Sequence, residues 1–350
     1  MTDHIAGVKS AGSAADTEDS PSTVTTAVSE SGMEDLTISE SSSNVRVAAS
    51  DTNSYASAGT NASVPAPAPA RSADEPAPTP SRTDNHALST SSSGLVLFDL
   101  TDRLGGTRCF SPHTVKTLLD LKLLNVGYER QRLTFVQVRN ELADKIGDNV
   151  TVPALELSDG SHIVDSWNIA EYLERRHPEG HRIFGDSATK RLAAMLNSFG
   201  KTVLAPSIGP LAQKGVHAML DEESKAYFAD VKIGKTRWAK VSNLSASERD
   251  AHVQAAVAKL EVINAMLTCE SAERGGAGEN GRSRSRGRQP VWLAGGDQPT
   301  HADFVLFGWY VFTRAAGEKT AKEIWGAHKP VWRWVEAMLE WSGELAQDFV

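Results

Sequence analysis

The sequence predicts an α+β protein: a β-α-β-α-β-β-α domain, an all-α domain behind it, and a long polar segment in front. Three observations carry this. Short apolar runs at residues 95–100, 152–157 and 162–164 are interleaved with stretches of helical spacing. After Phe184 the strand signals largely vanish and helical spacing takes over. Residues 1–93 lack the apolar content that a core requires.

The elements follow in order. Leu95-Val96-Leu97-Phe98-Asp99-Leu100 reads as a buried strand. A turn-rich loop from Asp102 to Thr107 contains Gly105-Gly106. Ser111-Pro112 then supplies an N-cap with proline at the first helical position, and Val115, Leu118, Leu119 and Leu123 continue at helical spacing. A second strand is expected near Tyr128–Phe135 and a helix over Val136–Ile146, ended by Gly147-Asp148-Asn149. Residues 152–157 and 162–164 flank Ser158-Asp159-Gly160, a hairpin signal. Pro153 lacks a ladder donor and belongs at the start of its strand. Asp165 or Ser166 caps the next helix, which carries Ile169, Ala170, Tyr172 and Leu173 on one face and ends at His177-Pro178. Helices are expected over Lys190–Leu204, Glu222–Val241, Glu248–Leu267 and His301–Ala315, with a last pair, Ala321–Ala327 and Val331–Trp341, split by Pro330. Thr300-His301-Ala302-Asp303 has the spacing of a capping box, which accounts for both His301 and Asp303 without a catalytic dyad. Trp325, Trp332, Trp334 and Trp341 are assigned to packing.

Composition divides the chain into 1–93, 94–180 and 185–350. The first segment holds 12 acidic and 4 basic side chains, a net of −8, which equals the −8 of the whole chain. The remainder is therefore near neutral, which argues against a nucleic-acid binder with a basic face. With Tyr55 as its one aromatic, 1–93 is read as disordered, and its proline repeats at 65–69 and 76–80 as extended spacers. A second disordered stretch is expected near 273–289, where five arginines stand among Gly, Ser and Asn. No signal-peptide core and no run of about 18 apolar residues is seen, so no membrane partner is expected. Two cysteines give no disulfide framework, and a cytoplasmic protein is the default reading.

The Val152-Pro153 strand, the segment Asp165-Ser166-Trp167-Asn168-Ile169-Ala170-Glu171-Tyr172-Leu173, the all-α second half and the Thr-x-x-Asp box together resemble the cytosolic glutathione S-transferase family. The segment Phe110-Ser111-Pro112-His113-Thr114-Val115-Lys116-Thr117 resembles its fungal, serine-type, etherase-related branch. The likeness covers residues 94–350 apart from the arginine-rich stretch. It implies a thioredoxin-like domain that holds glutathione as co-substrate, no metal, a small hydrophobic electrophile as second substrate, and a homodimer.

The chemistry asks for a thiolate. A free thiol has a pKa near about 8.5 and is mostly protonated at neutral pH. A hydroxyl at a helix N-terminus favours the anion by hydrogen bonding, helped by the positive end of the helix. Ser111 stands where the family's donor stands, although an N-cap serine often only caps. Cys109 offers a rival, mixed-disulfide chemistry, but lies two residues before the position used by the family's cysteine branches, and also reads as a small packed residue. The resemblance gives Val152 and Pro153 the role of pairing with the cysteinyl backbone through a cis peptide bond. It gives the Asp165-Ser166 helix start the γ-glutamyl carboxylate, which also suits the free N–H groups there. Arg139 and Lys145 are candidates for the glycyl carboxylate. Asn197, Lys201, residues 204–206 and Trp309 would wall the second-substrate site, with His113 and Val115 as further linings. Cys269 reads as inert. The alternatives are a ligand-binding or regulatory protein of the same fold, and a Cys109-based disulfide reductase.

Overall fold

A computed structural model describes residues 94–178, 182–273 and 291–350. The expected disordered segment 1–93 lies outside the described residues, as does nearly all of the arginine-rich stretch 273–289.

Strand β1 is Val96–Leu100 and helix α1 is Pro112–Leu123, capped by Ser111. Strand β2 is Glu129–Leu133. The next helix begins at Thr134 with a capping box to Gln137; it runs as α2, Phe135–Gln137, a π turn, Val138–Leu142, and α3, Ala143–Ile146. Strands β3, Ala154–Glu156, and β4, His162–Val164, form the expected hairpin. Asp159 accepts from the Ser161 N–H at 2.9 Å, and Gly160 takes φ +81, which a residue without Cβ adopts without penalty. Helix α4 is Ser166–Arg176. The sheet order is β2-β1-β3-β4, parallel between β1 and β2 and antiparallel elsewhere.

The second domain starts with α5, Ser187–Phe199, a π turn, Gly200–Leu204, and α6, Ala205–Met219. Helix α6 lies beyond the helix expected over Lys190–Leu204. The π turn runs directly into α6, so Pro206 and Pro210 both stand inside an unbroken helical path and each removes one backbone donor. The helix expected over 222–241 is divided into α7, Glu222–Tyr227, a π turn, Phe228–Lys232, and α8, Lys235–Ser242. Gly234 at φ +84 makes the break. Helices α9, Ala246–Lys259, and α10, Glu261–Glu273, replace the single helix expected over 248–267. Helix α11, His301–Arg314, is central and almost wholly buried. Helices α12, Glu318–Trp325, and α13, Lys329–Ser342, complete the bundle as the expected last pair, with Pro330 in the first turn of the second.

Helix α11 packs along both α1 and α5, so the bundle meets the sheet domain through the Ser111 helix. Trp309, Trp325 and Trp334 are fully buried, whereas Trp332 and Trp341 are half-buried at the edge. Among the described residues no helix is long and apolar enough to cross a membrane.

Candidate functional site

Ser111 has extended backbone, φ −72 and ψ 118, which turns its side chain back over the first turn of α1. Its Oγ accepts from the Thr114 N–H at 3.3 Å. A hydroxyl has one proton and two acceptor positions, so capping leaves the O–H free to donate. Capping and thiolate stabilisation are therefore compatible at this oxygen, and the helix end adds positive potential. The residue is 7 % exposed.

Cys109 is placed differently. It is fully buried, its N–H donates to the Asp348 carbonyl at 2.8 Å, and it forms a parallel bridge with Phe349. Burial, reinforced by the Asp99 carboxylate, pushes its thiol well above the usual range. A neutral, solvent-excluded thiol is a poor nucleophile, so its setting is that of a packed residue.

The other half of the site comes from β3 and α4. The Val152-Pro153 bond is cis, as the family resemblance implies. The Pro153 carbonyl accepts from the Asp165 N–H at 3.3 Å, and Ala154 pairs with Val164, so Val152-Pro153 and Asp165-Ser166 stand side by side. Phe110 and Val152 belong to one apolar cluster, which ties the Ser111 loop to the same strand. Asp165, at φ +82, is the cap: its Oδ1 accepts from the N–H groups of Trp167 at 2.8 Å and Asn168 at 3.2 Å. That uses two of the three first-turn donors of α4. Asp165 leaves the Ser166 N–H of that turn unused.

The glycyl-carboxylate candidates are engaged elsewhere. Lys145 pairs with Glu156 Oε2 at 2.5 Å and stands over the Phe98 ring. The Arg139 guanidinium lies over Tyr227. Among the described residues neither is hydrogen bonded or ion paired to the helix starts at Ser111 or Ser166.

Beyond Ser111, α1 turns one face to α5. The Lys116 Nζ is 3.1 Å from His113 Nδ1 and donates to Asn197 Oδ1 at 2.8 Å, although Lys116 is only 1 % exposed. Burial, then the charges of Lys116, Lys201 and Lys232, hold His113 well below the usual imidazole range. His113 and Asn197 thus stand together around the Lys116 ammonium. Three expected linings of a second site do not: Val115 and Leu204 are in the core, and Trp309 is buried behind His113, its ring centroid 6.0 Å away and edge-on.

The Thr300 box forms, with the Thr300 N–H donating to Asp303 Oδ2 at 2.9 Å. Asp303 does more than cap: its Oδ1 also accepts from the Leu293 N–H at 2.8 Å and from Trp334 Nε1 at 2.9 Å. Burial raises the pKa of this carboxyl, and those donors oppose the rise. His301 requires a correction. It does not serve the cap; its Nδ1 meets Asp120 Oδ1 at 2.9 Å, a buried pair joining α11 to α1. Sequence reasoning missed Lys116, Asp120 and Asp348. A charged side chain within the apolar run of α1 was the one available signal for the first two, and Asp348 had none.

A family model for the glutathione S-transferase N-terminal domain matches residues 110–176, and one for the C-terminal domain matches residues 192–341. No curated protein matches the sequence. Among solved structures, a glutathione S-transferase of Ceriporiopsis subvermispora, CsGST63524, crystallised with glutathione, is 17 % identical with a TM-score of 0.57. The match covers 71 % of this chain and 97 % of that one. Glutathione transferase GSTFuA3 of Phanerochaete chrysosporium is 18 % identical over 71 % of this chain and 96 % of that one, also with a TM-score of 0.57. At these identities the likeness is one of fold. The two family models, together spanning more than half of the chain, agree with the mixed sheet and helical bundle described above, and the chain belongs to the glutathione S-transferase family.

Proposed function

We propose that this protein is a glutathione-dependent transferase of the serine type, in which the Ser111 hydroxyl donates to the glutathione sulfur and holds it as thiolate. The observation that carries this is the Ser111 Oγ at the start of α1, accepting from Thr114 while keeping its own proton. The γ-glutamyl carboxylate meets the Ser166 N–H and hydroxyl, and the cysteinyl backbone pairs with Val152. The thiolate then attacks a small apolar electrophile, an aryl-ether-like substrate or a hydroperoxide beside His113 and Asn197. Donors already aimed at the sulfur lower the barrier without reorganising. Resemblance of residues 110–117 supports the etherase-related branch, and family membership supports a homodimer.

The low exposure of Ser111 favours a second reading, a protein that binds glutathione or an apolar ligand without turnover. A Cys109 reductase is disfavoured by the burial of that thiol. The test is glutathione-dependent turnover of an aromatic electrophile, an isothiocyanate, a hydroperoxide and a mixed disulfide by wild type, Ser111→Ala and Cys109→Ala. Conjugation that drops at least about tenfold in Ser111→Ala, about 1.4 kcal/mol, and persists in Cys109→Ala is the expected outcome. Tight glutathione binding with no turnover in any of the three proteins would establish the binding reading instead.

A further inference from the structure

The loop that delivers Ser111 leaves β1 at Thr101, and its middle residues, Arg103, Leu104 and Gly105, are exposed. Its last two residues before Ser111 are nevertheless locked. Phe110 is buried against Phe135, with ring centroids 6.3 Å apart. Cys109 is held by a segment from the far end of the chain, through its N–H to the Asp348 carbonyl and its parallel bridge to Phe349. Phe349 is itself buried, edge-on to Phe307 of α11 at 5.8 Å.

The Asp348 side chain is anchored separately. Its Oδ2 accepts from Arg130 Nη1 at 2.5 Å and Arg132 Nη2 at 2.7 Å, both on β2. Arg130 in turn donates to Asp99 Oδ2 through Nε at 2.8 Å and Nη2 at 2.5 Å. Asp99 lies on β1, and its Oδ1 accepts from the Leu100 N–H at 2.6 Å. A continuous polar chain thus runs from the sheet, through two arginines, to Asp348, and from the Asp348 carbonyl to the backbone two residues before Ser111. Charge-assisted bonds of this kind are shorter and stronger than neutral ones and hold a chosen geometry.

We infer that Asp348-Phe349 acts as a short added strand that sets the position of the Ser111 hydroxyl, with Asp348 as a positioning residue for the glutathione sulfur. The inference rests on the Ser111 reading above. Asp348 touches no substrate in this account; it acts through Cys109 and Phe110 on the direction of the Ser111 O–H. Small displacements of a donor matter because the sulfur gains only from a hydrogen bond of good length and angle. The γ-glutamyl site at Ser166 lies on another element and has no part in this chain of contacts.

The test uses the full chain carrying Asp348→Asn, Ser111→Ala, or both. Three quantities are measured: the dissociation constant for glutathione, the pH midpoint for thiolate formation in bound glutathione by ultraviolet absorbance, and kcat and KM for an aromatic electrophile. Asp348→Asn is expected to leave glutathione affinity within about twofold, raise the thiolate midpoint by about one pH unit and lower kcat about tenfold. In the Ser111→Ala background the same change is expected to do nothing further, because the two residues act in series. Asp348→Glu is expected to restore part of the kcat. An unchanged midpoint and kcat in a folded Asp348→Asn protein overturns the inference. So does a parallel loss of glutathione binding and kcat, which marks a merely structural role, or an Asp348 effect that persists without Ser111. Should Asp348→Asn fail to fold, Arg132→Gln removes one of the two anchors at a more exposed position and is read in the same way. If Ser111→Ala leaves the midpoint unchanged, the Ser111 reading itself has failed, which is a different result from a shift in Ser111→Ala with none in Asp348→Asn.

Discussion

At the residue scale, the first turns of α1 combine a hydroxyl that caps the helix with a ring that resists protonation. His113 is half-buried between Lys116, 3.1 Å from its Nδ1, and the Trp309 edge. Burial and the three lysine charges lower its pKa, so the unfolded chain binds a proton at His113 more readily than the folded one. The sign follows from linkage. The stability tied to a neutral His113 is fully present above the ordinary imidazole value, about 6.5, and is lost as pH falls below it toward the folded value. Between about pH 7 and about pH 5, the melting temperature of wild type should therefore fall more steeply than that of His113→Gln. Parallel slopes for the two proteins would mean that His113 does not titrate differently on folding.

At the element scale, the contact between α11 and α1 depends on the absence of a side chain. A Cβ at Gly308 would overlap the carbonyl oxygen of Pro112, the first residue of α1 and the neighbour of Ser111. The neighbour is backbone at a helix start, so it has little room to give. Gly308→Ala is expected to destabilise by about 1–3 kcal/mol through overpacking and to lower the melting temperature by several degrees. A melting temperature equal to or above that of wild type would show that α11 can shift without strain. The same reasoning explains Gly200, where a Cβ would overlap the Trp309 indole.

At the scale of the whole molecule, the two domains are joined by a buried polar pair as well as by apolar packing. His301, at the start of α11, shares its Nδ1 between both oxygens of Asp120 at 2.9 and 3.0 Å. Its backbone N–H donates to the Ile183 carbonyl, and its ring stands edge-on to Trp167 and Phe184. Burial raises the Asp120 pKa, and His301 opposes that rise. Removing one partner leaves the other desolvated and unmet, a cost of about 1–3 kcal/mol. Asp120→Ala is therefore expected to lower the melting temperature of the full chain, and Asp120→Ala/His301→Ala to lower it by less than the sum of the two single changes. Strict additivity in that cycle would mean that the two residues stabilise the interface independently.

The sequence by itself determined what local physics controls. The Asp159-Gly160 hairpin, the Ser111 and Asp165 caps, the Thr300–Asp303 box and the apolar runs of β1 and β3 were all legible, because each is set by neighbours within a few residues. Local reading gave Ser111 and Asp165 or Ser166 as caps, and the resemblance to the family gave Ser111, Val152, Pro153, Asp165 and Ser166 their site roles; the fold brings the last four side by side. Local reading assigned no helix to residues 205–219, and it read 222–241 as one helix where a glycine at positive φ divides it. Only the tertiary structure decided how these parts are held together. Lys116 finds Asn197 across 81 residues, His301 finds Asp120 across 181, and Arg130 finds Asp348 across 218. Partners so far apart leave no periodic trace in the sequence. Lys116, Asp120 and His301 are buried, at a cost that only a specific partner supplied by the packing of α1, α5 and α11 can offset, and Arg130 and Asp348 are partly buried where the chain end meets the sheet.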